Sequence, residues 1–98
     1  MKIPKHVTIG GIKHTVKRKI TPHTSTDVCY GKYSESKSSI TITSSRNVGK
    51  EKKLRTFIHE VLHGINEDRN IGLEENQIDC MSGGLYESMK SCKLNFSE

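Results

Sequence analysis

Apolar and polar residues alternate through the first half of the chain, then change to a spacing of three and four. Val7-Thr8-Ile9 and the stretch Ile12 through Ile20 flank Gly10-Gly11, a dipeptide suited to a tight hairpin turn. In the second arm Ile12, His14, Val16 and Arg18 share one face, while Lys13, Thr15, Lys17 and Lys19 share the other. Thr21 to Asp27, with Pro22 among small polar residues, reads as a loop. Val28 to Tyr33 and Ser39 to Thr43 are the next strands, joined by a Ser/Lys/Glu-rich hairpin connection.

From about Lys50 to Asn66 the apolar positions are Leu54, Phe57, Ile58, Val61, Leu62 and Ile65, which predicts an amphipathic helix. Asn70-Ile71-Gly72 interrupts it. A second helix is expected from Leu73 or Glu74 to Ser91, with the stripe Ile78, Met81, Leu85 and Met89. Gly83-Gly84 inside it costs about 1 kcal/mol per glycine relative to Ala, which points to close packing or local strain there. The predicted fold is α+β and a single domain over residues 1–98, strand-rich over 1–48 and helical over 49–98. A small, mostly antiparallel sheet of three or four strands packs on the two helices, with the apolar stripe of the first helix against it. Ser39–Thr43 is expected to run along the cleft, where an extended peptide pairs with it by strand addition.

Composition narrows the function. At 98 residues, with 32% hydrophobic and no Trp, the core is small, so a bound metal has room to contribute to folding. The net charge of +5 comes from lysines spread along the chain, with short runs at Lys17-Arg18-Lys19 and Lys50-Glu51-Lys52-Lys53. No aromatic-interleaved basic patch or module spacing accompanies them, so the sequence leaves nucleic-acid binding unsupported. Cys29, Cys80 and Cys92 form no CxxC pair, which argues against a cysteine zinc site or a thioredoxin-like motif. Cys80 and Cys92 fall at the second helix and are expected to act as small hydrophobes. The chain starts without the apolar run of a signal peptide, and no stretch is long enough to cross a bilayer. A cytoplasmic protein with no membrane partner is the expectation.

The string Thr56-Phe57-Ile58-His59-Glu60-Val61-Leu62-His63-Gly64 carries the chemistry. Two His at i and i+4 on a helix lie one turn apart on one face, so both imidazoles can reach one zinc ion. Glu60 points about a quarter-turn away, where it can take a proton from an activated water without ligating the metal. At about 100° per residue the apolar stripe centres near Leu54 and Ile65, and the two His fall nearly opposite it. They are therefore not space-filling core histidines. A catalytic zinc needs a third protein ligand and an open position. Glu74-Glu75-Asn76-Gln77-Ile78-Asp79 opens the second helix close to the His pair. Glu75 lies beside the apolar stripe with Asp79 one turn on along the same edge, where Asp79 can steady a ligand. Glu74 lies nearer the middle of the stripe and stays open as the alternative.

These residues resemble the small gluzincin-type metallopeptidases: the minigluzincins and the ImmA/IrrE-like, phage-encoded HExxH proteins. The resemblance runs from Arg55 through Tyr86, carried by Arg55 to Ile65 and then by Glu74-Glu75, Ile78, Met81-Ser82 and Gly84-Leu85-Tyr86. It implies one zinc ion per chain and a Glu ligand on the second helix followed by an Asp or Asn four residues later. Glu75 and Asp79 match that pattern. It also implies peptide-bond hydrolysis on a peptide or protein substrate, and a cytoplasmic setting, the host's where the protein is phage-encoded. A Tyr or His that steadies the carbonyl oxygen in larger gluzincins has no motif here; Tyr30, Tyr33, His14, His23 and Arg69 are the candidates. The substrate and oligomeric state are not specified by the resemblance. The rival readings are a zinc-stabilised binding or regulatory module without hydrolysis, and a basic nucleic-acid-binding domain.

Overall fold

Residues 2–19 and 30–93 are described by the computed structural model of the chain. The alternation of the first arm becomes a hairpin of β1 (His6–Ile9) and β2 (Ile12–Lys19), turning at Gly10 and Gly11 with φ of 61° and 75°. Two successive positive φ values are what a two-residue primed turn requires, and glycine adopts them without a Cβ penalty. After β3 (Gly31–Ser34) and β4 (Ser39–Thr43) come α1 (Lys50–Arg69) and α2 (Glu75–Ser91). The fold is α+β, as the periodicities predict. The expected loop over 21–27, together with Ile20, Val28 and Cys29, lies outside the described residues.

The four strands form one mixed sheet in the order β1-β2-β4-β3. The β1–β2 and β3–β4 pairs are antiparallel, and β2–β4 is parallel. That order corrects the expectation that Ser39–Thr43 lines the cleft. β4 is interior, with β2 and β3 hydrogen-bonded on its two sides, so it has no edge to offer a peptide. β3 is the edge strand on that side.

Ile40 and Ile42 of β4 are 0% and 1% exposed and pack with Leu54, Phe57 and Ile58 of α1. Ile78 and Tyr86 of α2 complete the cluster beside α1. Here the structure departs from the expected stripe. Met81 and Leu85 are 42% and 41% exposed, whereas Ile78, Ser82 and Tyr86 are buried. The inward face is therefore rotated by about 50° from the one the apolar residues mark. Ser82 is accommodated inside because its hydroxyl donates to the Asp79 carbonyl at 2.8 Å. Cys80 and Cys92 are free and exposed, so neither fills the core as expected.

The turn between the helices is tightly determined. Asn70 adopts the left-handed conformation (φ 50°, ψ 48°) and its N–H donates to the carbonyls of Asn66 and Glu67. The Asn66 side chain accepts from the Leu73 N–H at 2.8 Å and donates to the Leu73 carbonyl at 3.2 Å. A side-chain amide thus stands in for a strand partner and sets where α2 begins. The Gln77 amide oxygen accepts from the Glu74 N–H at 2.8 Å, anchoring the first turn.

β3 crosses α1 closely at Gly31. A Cβ there would lie 2.6 Å from Thr56 Cγ2, 3.1 Å from the Thr41 carbonyl oxygen and 3.3 Å from Glu60 Cγ. Gly31→Ala is expected to destabilise the protein by about 1–3 kcal/mol through overpacking. Gly84 meets nothing within 4 Å, so the close packing expected at the glycine pair is absent there. Gly84→Ala should accordingly stabilise by up to about 1 kcal/mol. Urea midpoints of the two variants shifting in the same direction would contradict this packing.

Candidate metal centre

Three side chains from two helices meet at one point. His59 Nε2 lies 2.7 Å from Glu75 Oε1, and His63 Nε2 lies 2.9 Å from Glu75 Oε2. The two Nε2 atoms are 3.2 Å apart. Ligands held about 2.0–2.1 Å from a tetrahedral ion stand about 3.3 Å from one another, so this triangle is close to the size a metal requires. His59, His63 and Glu75 are thus compatible with a metal site. The i, i+4 spacing on α1 brings the imidazoles together. The clamp at Asn66 and the rotation of α2 bring the carboxylate over them.

The same rotation separates the two glutamates. Glu75 stands on the row that runs on through Ser82 and Tyr86, the face turned to α1. Glu74 precedes the first helical residue as the N-cap and is not part of the group. Asp79 Oδ1 stands 3.5 Å from His59 Nδ1, the ring nitrogen that points away from the centre. A carboxylate at that position stands where it can steady the ring from the side away from the centre.

Glu60 lies beside this group and is only 8% exposed. Burial pushes its carboxyl above the usual range; the charges of His59 and His63 pull it back down, Glu75 adds to the rise, and a hydrogen bond from the Tyr33 backbone N–H lowers it. The net shift is upward. The edge strand β3 therefore helps to hold Glu60 as well as to cover it.

An open cleft of about 300 Å³ leads to the group, lined among others by Tyr30, Lys52, Arg55, His59, Glu60 and Glu75. A neighbouring opening is lined by Gly31, Lys32, Tyr33, His63 and Glu67 together with His59, Glu60 and Glu75. Of the residues weighed for contact with a carbonyl oxygen, Tyr30 and Tyr33 line these openings. The Tyr33 hydroxyl is raised in pKa by burial and by Glu67, Glu35 and Asp68, which weakens it as a donor. His14 is buried behind Tyr33, stacked on it at 5.8 Å, and its Nδ1 lies 2.9 Å from the Ile12 carbonyl oxygen. Arg69, at the far end of α1, faces Asp68 with its Nε 3.6 Å from Oδ2. His23 lies outside the described residues. Sequence reasoning missed Asn66, whose side chain clamps Leu73. For Asn66 the signal was a weak helix former placed four residues before the left-handed Asn70.

No protein-family model, curated protein or solved structure matches the chain. No helix among the described residues is long and apolar enough to cross a membrane.

Two outcomes follow from this geometry. A divalent metal should raise the melting temperature of the wild type and of Glu74→Ala, but not of Glu75→Ala, in thermal unfolding with and without chelator. An equal metal-dependent shift in all three proteins would remove Glu75 from the site. The second concerns Glu60. Its folded-state pKa is raised, so between the ordinary value of 4.5 and the raised one the folded protein binds the proton more tightly than the unfolded chain. Stability of the metal-free protein then falls as pH rises through that window. Metal-free Glu60→Gln should unfold at higher urea than the wild type at neutral pH, with the gap closing below about pH 4. A gap that instead widens on acidification would reverse the sign.

Proposed function

We propose that the protein is a zinc-dependent peptidase in which His59, His63 and Glu75 hold the metal and Glu60 transfers the proton. The observation that carries this reading is the position of Glu60. It directly follows a ligand in the chain, is buried in the wall of the cleft, and is left out of the ligand triangle. Two imidazoles and one carboxylate are the donor set of many hydrolytic zinc sites, with one position open. Zinc in such a set polarises a carbonyl and lowers the pKa of water towards about 7.

The chain's own residues supply the rest. Glu60, its pKa raised towards the working range, accepts a proton from the attacking water and passes it to the leaving amine. Asp79 holds the His59 ring in line. Tyr30 offers a phenolic donor in the cleft, with the Lys52 ammonium 4.9 Å from its ring centroid, and is the residue we assign to the carbonyl oxygen. An extended substrate would run through the cleft past Tyr30 and Gly31, at the start of the edge strand β3.

Metal analysis combined with hydrolysis of an unfolded protein substrate tests the proposal. The wild type should carry one zinc per chain and lose cleavage on chelation. Glu60→Gln should keep the zinc and lose about 10²-fold or more in rate, while His59→Ala loses both. Zinc-loaded wild type with no more cleavage than Glu60→Gln would reduce the centre to a structural one.

A further inference from the structure

The positive charge that looks dispersed along the sequence is concentrated in one half of the fold. Residues 1–49 carry nine Lys and Arg against Asp27 and Glu35, a net of +7. Residues 50–98 carry seven against nine acids, a net of −2. The strand register gathers much of this excess on the sheet face away from α1. Lys17 pairs with Thr41, which pairs with Lys32, so two lysines flank a hydroxyl in one row across three strands. Thr15, Ser39 and Ser34 form the next row in the same way. Lys13, Lys17, Lys19 and Lys32 are all exposed, and none forms an ion pair with a described residue. A shallow depression joins Lys17, Lys19, Lys32 and Lys37 to Ser39 and Thr41, with no acidic residue among its described lining.

We propose that this sheet face docks on the phosphate backbone of duplex DNA. Lysine ammonium groups suit phosphate oxygens by charge, and the hydroxyls of Thr15, Thr41 and Ser34, which reach solvent between them, suit them by hydrogen bonding, whereas Ser39 is buried. Two strand spacings separate Lys17 from Lys32, about 10 Å, and alternate residues along β2 repeat every 6–7 Å or so. The face is therefore a grid of cations facing a line of closely spaced charges. It carries none of the described aromatic residues as a stacking platform: Phe57 and Tyr86 are buried, Tyr30 lies in the cleft and Tyr33 stands on the opposite side of β3 from Lys32. That favours a duplex, touched from outside, over an unstacked single strand. It also lacks the apolar wedge that a membrane-surface site uses, since Met81, Leu85 and Ile71 are exposed elsewhere and Ile12 lies at the hairpin tip. The contact would be independent of base sequence.

Fluorescence anisotropy with a labelled duplex of about 20 base pairs tests this on the whole chain, across a salt series. The wild type should bind at low salt, more tightly than to the matching single strand, with affinity falling steeply as salt rises. Lys17→Glu/Lys32→Glu should lose about tenfold or more, while Lys90→Glu/Lys93→Glu, with the same change in net charge, loses less than about threefold. Circular dichroism melting confirms that both variants fold. His59→Ala should bind DNA as the wild type does, which keeps this result separate from the fate of the metal centre. Equal losses in the two double variants, no binding by the wild type, or tighter binding to phosphatidylserine vesicles than to DNA would overturn the proposal.

Discussion

The convergence of Glu75 with His59 and His63 is the contact around which the helical half of the fold is arranged. The imidazoles are fixed relative to each other by one turn of α1, but the carboxylate belongs to a different helix and has to be delivered. Delivery depends on a short connection whose backbone is held by one side chain, the Asn66 amide, on both the N–H and the carbonyl of Leu73. It also depends on how α2 is rotated about its axis. Burial of Ile78, Ser82 and Tyr86 turns Glu75 towards the His pair and leaves Met81 and Leu85 outside.

The sheet serves the centre from the other side. Its edge strand passes so close to α1 that only a glycine fits at position 31, and the same strand gives its Tyr33 N–H to Glu60. Glu60 is thereby kept out of water and out of the ligand set at once. A carboxylate in that position is costly to a domain with so small a core, and the cost makes sense if the group handles protons. The opposite face of the sheet carries a different kind of chemistry, in which lysines and hydroxyls alternate and no acid is among the described residues that line the depression between them.

Much of this was legible in the sequence. Both helices, the glycine hairpin, the His pair and the choice of Glu75 follow from periods of two and 3.6 residues, turn chemistry and the resemblance on the second helix. What was not legible has physical reasons. Strand order depends on a parallel β2–β4 pairing that local alternation cannot express, so Ser39–Thr43 looked like a cleft strand when it is an interior one. The face of α2 was misjudged because hydrophobicity marked Met81 and Leu85, while a serine with its own intrahelical hydrogen bond occupies the buried row. The charged face was hidden because its lysines are separated along the chain and become neighbours only through strand register.

X-ray absorption at the zinc edge of the zinc-loaded wild-type protein tests the central claim most directly. The account predicts a nitrogen and oxygen shell at about 2.0–2.1 Å with the scattering signature of two imidazoles and no sulfur. A sulfur shell at about 2.3 Å, or a single imidazole, would contradict it by moving the metal away from the place where the two helices meet.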